Sequence, residues 1–364
     1  MIDQHAHPFS LRGGPLDLAA VSLDVRYDAD ADRRRHRDGS ARLFQELMTV
    51  RLSERLGCEA EDLPAARAEA ALDWRAYCAG LFADAGITDL VMDAGISAEG
   101  GSQLDDLGRL SGCGIHPIFR LEPMVDRLIE AGASAREIVT AVEEAMAKAA
   151  ADGNVGFKTI AAYRTGLRVD PDATVAEAEA SLEREANVPV RRRGKACRDL
   201  VLRRALGVAA ELQLPVQVHT GFGDSDIRLA EADPLLLEEL LRTPEGSTAT
   251  LVLIHGSYPW HEQLAYLATV KPNVYAELSL HVLFSALTTA DRLLRILDLA
   301  PATKVLAGTD GHGEPELFWF GGSVLRDAWT VVAMRMREAG ARPAWVADCE
   351  RMVFEDNARR LYGI

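Results

Sequence analysis

The sequence predicts an α/β chain folded as a (β/α)8 TIM barrel with a helical insertion after the first strand. Three observations carry that prediction. Short apolar runs alternate with longer amphipathic stretches over most of the 364 residues. Eight such runs can be traced, and several of them end on a histidine or an acid. Alternating strand and helix implies a parallel sheet buried on both faces, and eight repeats favour closure over an open doubly wound sheet. Barrels gather reactive groups where strands run out into loops.

In chain order, the candidate strands are 1–7, 88–94, 115–121, 156–161, 215–220, 250–255, 274–277 and 304–309. Helical periodicity lies between most of them, at 74–84, 133–150, 195–213, 234–241, 259–270 and 289–298. Two further helical stretches close the chain, at 316–339 and 345–360. Two insertions interrupt the repeat. The first, 8–73, is Arg-rich at 30–38 and helical through 41–56. The second, 163–194, holds an acidic, alanine-rich stretch and the basic run 191–195. Long insertions on the loop face form lids or caps. Residues 8–73 are thus expected to be a helical cap or an oligomer contact on one single barrel spanning 1–364. The charge runs are read as solvated faces.

Composition narrows the partners. A net charge of -15 repels phosphate backbones, which argues against nucleic acid. An anionic small molecule stays open, because a few arginines can reverse the field inside a cleft. The five cysteines are widely spaced with no CxxC, so free thiols in a reducing compartment are expected. The start MIDQHAHPF lacks a basic segment followed by an apolar one, so no signal peptide is expected. No apolar run reaches the roughly 18 residues that span a bilayer. The expectation is a cytoplasmic protein acting on a small molecule, with a homo-oligomer left open and no membrane partner.

The chemistry begins at Asp3-Gln4-His5-Ala6-His7. Residues two apart on a strand share a face, so His5 and His7 point the same way. Two converging imidazoles can take one divalent ion, though such a pair alone is weak. His219 ends the apolar run at 215–218, His255 ends 250–254, and Asp310 ends 304–309. Burying each without a partner costs about 1–3 kcal/mol, and one shared metal satisfies them all. Lys158 sits inside the apolar stretch Gly156-Phe157-Lys158-Thr159-Ile160. It is open between an acid-paired or substrate-binding amine and a carbamate that bridges two metals.

HxH after strand one, Lys at strand four, His at strands five and six and Asp at strand eight resemble the amidohydrolase superfamily. IDQHAHPF, FKTIAAYRTGL, VHTGFGD and VLAGTD look like its amidohydrolase-2 branch, and within it like the hydrolase domain found beside or fused to glutamine-synthetase-like proteins. That group is similar to enzymes acting on γ-glutamyl amides. The resemblance implies that His5 and His7 hold a first metal, with Asp310 as ligand and general base. His219 and His255 would bind a second ion, or share one while His255 polarises the substrate carbonyl. It implies one or two divalent ions, zinc first and manganese second.

Several residues are candidates to read the substrate. Arg164, Arg120 and Arg228 can each pair a carboxylate, with Arg164 favoured. The alternative for each is an ion pair with Glu122, Asp224 or Asp226. Tyr163 can donate to the same group, Glu277 can bind an ammonium, and His312 can line the pocket. The function expected is hydrolysis of an amide-type C–N bond. A metal-dependent decarboxylase on the same scaffold, or a catalytically inactive regulatory barrel, is the rival reading.

Overall fold

The computed structural model describes residues 1–19, 21–24, 29–39, 41–95 and 100–364. All eight expected strands form: β1 Ile2–Ala6, β2 Asp89–Asp93, β3 Gly114–Arg120, β4 Gly156–Thr159, β5 Val216–His219, β6 Leu251–Ile254, β7 Val274–Leu278 and β8 Val305–Ala307. They pair in sequence order as one parallel sheet. The ends meet through backbone bonds beyond the strands: Asp310 N donates to His5 O at 2.9 Å and His7 N to Gly311 O at 2.8 Å. The ring of strands is therefore a nearly closed barrel, and its last bonds lie at the loop face.

The strands are nearly continuous apolar runs because both faces are buried. Outward side chains such as Phe157 and Val216 pack on the helical ring, while Ile2, Val91, Ile118, Val252, Ile254 and Leu306 fill the barrel interior. Ala358 and Tyr362 of the last helix plug the interior from below. Burial of this apolar surface is the main stabilising contribution. No helix among the described residues is long and apolar enough to cross a membrane.

The helices at Trp74–Ala85, Ala135–Ala151, Lys195–Leu212, His261–Val270, Thr289–Leu299 and Pro315–Glu338 follow the expected periodicity closely. Two expected helices differ. Residues 234–241 form separate 3-10 turns, Pro234–Leu237 and Leu240–Arg242, because Asp233 caps Leu235 N and the bonds close at three residues. The stretch 345–360 is split by a π-helical turn, Met352–Asp356. The wider turn lets Asn357 bond the carbonyls of Ala302 and Val305, at 2.7 and 2.8 Å, and turns Tyr362 inward.

The 8–73 insertion is helical at Ala29–Gly39, Leu43–Leu56 and Leu63–Ala70. It reaches from β1 across to the loop after β5, where Ser225 N donates to Leu23 O at 2.7 Å. Its anchor is Arg67, buried beneath the rings of Trp74 and Tyr77 and bonded to Glu316 at 2.8 Å. The second insertion carries the helix Val175–Arg184, opened by a Thr174/Glu177 capping box.

Candidate metal centre

The loop ends of β1, β4, β5, β6 and β8 converge on one point. A register shift between Asp3 and Ala6 re-aims the end of β1. It leaves His5 fully buried and His7, two residues on, at the rim. Asp3 fastens β1 to the end of β8, its neighbour where the ring closes, by accepting from Thr309 N at 2.9 Å and from its hydroxyl. Asp310 follows in a left-handed conformation, φ 58°, which a non-glycine residue adopts only when its surroundings enforce it. That turn sets Asp310 Oδ1 3.2 Å from the Nε2 atoms of both His5 and His7.

His255 is also left-handed, φ 69°, just past β6. Its Nδ1 lies 2.7 Å from Ser279 Oγ. The His219 ring is 4.4 Å from that of His255, and its Nε2 is 3.1 Å from Phe222 O. Single ligand atoms of His5, His255 and Asp310 all lie within 4.8 Å of one another. Lys158 projects from β4 into the same space, with Nζ 3.1 Å from His5 Nε2.

The electrostatics suit a cation. Burial, with Lys158 adding to it, pushes His5 down to about 4. Burial likewise holds His219 and His255 well below the usual histidine range, so their imidazoles are neutral and offer lone pairs. Burial alone would favour the protonated acid at Asp310. The adjoining His255, His5 and His7 outweigh it and hold the carboxyl well below its ordinary value. Burial lowers Lys158 to about 8. Two atoms in this cluster, His5 Nδ1 and Asp310 Oδ1, are buried without a satisfying hydrogen bond. Neutral imidazoles, an ionised carboxylate and an unsatisfied oxygen form a donor set that fits a divalent ion.

Of the expected substrate residues, Tyr163 stands at the site. Its ring packs 4.7 Å from His219 and its hydroxyl accepts from Asp224 N at 2.8 Å. Gly223 has no side chain because one would occupy the position of the Tyr163 hydroxyl. His312 lies at the rim, Nδ1 2.8 Å from Asp310 O. Arg120 is in register with Lys158 across β3 and β4 and bonds Asp93 at 2.8 Å.

Two placements correct the expectation. Arg164 does not reach the cluster. It is buried behind β4 and committed to Asp126 at 2.8 Å, which also holds Arg198 at 2.7 Å. The ion pair is thus structural, with a partner other than the three acids expected. Glu277 is fully buried, and its Oε2 is engaged within the protein rather than facing the open end of the barrel. It accepts from His255 N at 3.0 Å and Ser279 Oγ at 2.7 Å. Arg228, by contrast, lies on the surface and makes an ion pair, as the alternative reading for it expects, with Glu231 as the partner.

Sequence reasoning missed Asp93 and Ser279. Asp93 ends the apolar run Leu90-Val91-Met92, the same signal that marked His219 and Asp310. Its carbonyl holds His7 Nδ1 at 2.9 Å. Ser279 gives no such signal, because its role depends on the pairing of β6 with β7.

Comparison with known proteins adds the family context. The profile of the family described as amidohydrolase matches residues 121–364, from the end of β3 to the last residue. Protein fluG of Emericella nidulans is 34% identical over 194 residues, covering 48% of this chain and 21% of that protein. The chain thus spans about a fifth of the length of that curated relative. A crystal structure from Lactobacillus casei, described as a metal-dependent hydrolase, superposes with a TM-score of 0.86 at 25% identity, covering 100% of this chain and 94% of that one. Uronate isomerase of Thermotoga maritima shares the fold, with a TM-score of 0.69 at 14% identity over 100% of this chain and 94% of that one.

Proposed function

The chain belongs to the amidohydrolase family, and on that premise we propose that it is a metal-dependent hydrolase cleaving C–N bonds in small carboxylate-bearing amides, γ-glutamyl amides first among them. The observation that carries this reading is the approach of Asp310 Oδ1 to His5 and His7, 3.2 Å from each Nε2. His5, His7, His219, His255 and Asp310 would hold one or two divalent ions, with zinc suited to this donor set and manganese the alternative. A divalent ion bound there lowers the pKa of water toward about 7 and polarises a carbonyl.

The residues of the chain supply the rest. Asp310 is ionised, buried and fixed by its left-handed turn, so it can accept the proton of an attacking water and return it to the leaving amine. His255 either holds the ion or steadies the developing oxyanion. Arg120, oriented by Asp93, contributes positive charge for a substrate carboxylate. Tyr163 and His312 line the approach.

Lys158 has no carboxylate within ion-pair distance among the described residues, although it is 1% exposed. A buried ammonium without a counter-ion is costly. That supports its carbamylation, in which the neutral amine adds CO2 and releases a proton, and the resulting carbamate would be able to help hold a divalent ion. A net charge of -15 and five free cysteines support a cytoplasmic enzyme of small molecules.

The test is product analysis with a panel of γ-glutamyl and other carboxylate-bearing amides. Amine release that a chelator abolishes and zinc or manganese restores is expected. CO2 release from a carboxylic acid, with no amine release, would replace this reading with the decarboxylase. A loaded site that turns over nothing would favour an inactive regulatory barrel.

A further inference from the structure

His255 has two ring nitrogens, and which one carries the proton decides what the residue can do. Three hydrogen bonds bear on that choice. His255 N donates to Glu277 Oε2 at 3.0 Å, so this oxygen is already an acceptor. Ser279 Oγ lies 2.7 Å from the same Oε2. The serine hydroxyl has one proton, and the acceptor oxygen of Glu277 takes it. Ser279 Oγ is then left as an acceptor toward His255 Nδ1, 2.7 Å away. The direction of the chain is therefore His255 Nδ1–H to Ser279 Oγ, and Ser279 Oγ–H to Glu277 Oε2.

We propose that Ser279 and Glu277 are positioning residues that fix the Nδ1–H tautomer of His255 and so present Nε2 as a lone pair toward His5 and Asp310. The assignment makes His255 a ligand in the neutral state rather than a hydrogen-bond donor to an oxyanion. It rests on the metal-centre reading only for the use of that lone pair, since the tautomer itself follows from the hydrogen bonds.

The architecture around the pair supports a dedicated role. Glu277, Ser279 and His255 are all buried, so no bulk water competes for these bonds. Gly308 of the neighbouring loop has no side chain where one would strike Glu277 Oε1. His255 holds a left-handed conformation, φ 69°, that its backbone bond to Glu277 helps to enforce. The charge of Glu277 is not needed, because its Oε2 accepts two bonds whether or not the other oxygen is protonated. A carbonyl at that position does the same.

The experiment is long-range nitrogen–proton NMR of metal-free protein labelled at histidine nitrogen, with His255 assigned by its loss in His255→Gln. Wild type is expected to show a protonated Nδ1 and an unprotonated Nε2. Glu277→Gln keeps that pattern, and Ser279→Ala loses it and weakens metal binding by about 10–100-fold. A protonated Nε2 in the wild type overturns the inference, whatever the variants do. So does an unchanged tautomer in Ser279→Ala. The failure of the broader reading looks different: a protein with the Nδ1–H tautomer that takes up neither zinc nor manganese retains the relay and loses the metal centre.

Discussion

Two buried charged clusters lie on opposite faces of β4, and they are built in opposite ways. On the outer face, Thr159 bonds Glu122, and behind it Asp126 accepts from both Arg164 and Arg198. Arg198 spends further donors on the carbonyls of Arg193 and Val190, at 2.8 and 2.7 Å. The cluster leaves Nη1 of both arginines and Glu122 Oε2 without partners, beside a cavity of about 20 Å³, the size of one water. On the inner face, among the described residues, Lys158 meets only an imidazole, His5 Nδ1 and Asp310 Oδ1 stay unsatisfied, and two non-glycine residues are left-handed. Buried charge is common to both. What distinguishes the inner cluster is strain together with donor atoms converging on one point, and the proposed metal centre rests on that combination. The outer cluster is a brace between two helices and the barrel.

The sharpest way to break this contrast is a pair of substitutions, one on each side. Asp310→Asn removes the proposed base and is expected to lower kcat about 10²–10⁴-fold while the melting temperature stays close to wild type. Asp126→Ala strands two buried arginines and is expected to cost about 3 kcal/mol of stability, with metal content unchanged in the folded fraction. Calorimetry and steady-state kinetics on both proteins check it. An Asp126→Ala protein that is fully stable but inactive would reverse the two roles.

A smaller effect is expected from pH. Burial raises Glu277 to about 8, well above its unfolded value. Its folded state therefore binds a proton that the unfolded chain has already released. The stabilisation is present below the unfolded value near 4.5 and is lost as pH rises through about 8. Metal-free protein is expected to melt at progressively lower temperature across that window, and Glu277→Gln to flatten the slope. Tyr163→Phe should do least. It removes one acceptor from Asp224 N, a loss of about 0.5–1.5 kcal/mol, seen as a rise in KM of about tenfold or less.

The same contrast explains how far the sequence could be read. All eight strands were legible because each is apolar and bounded by loop signals. His5, His7, His219, His255 and Asp310 were legible because a polar residue at the end of a buried strand needs a reason. Asp93 carried that signal too and went unread. The sequence favours Arg164, whereas strand register decides the matter: Arg120 is aligned with Lys158 and Arg164 lies beyond the strand. Glu277 ended a run as expected, but the neighbouring Gly308 lets it pack inward, which only the fold reveals. The helices Gly100–Ser111 and Glu122–Glu130 were missed. One opens on two glycines, and the other carries proline at its second position, where a strand end and a helix start look alike.

The most direct test of the central claim is metal content per chain in purified protein, measured beside Lys158→Ala. About two divalent ions in the wild type are predicted, with a loss in Lys158→Ala that a short-chain carboxylate partly restores. A wild-type protein that stays metal-free when supplied with zinc and manganese would contradict the account.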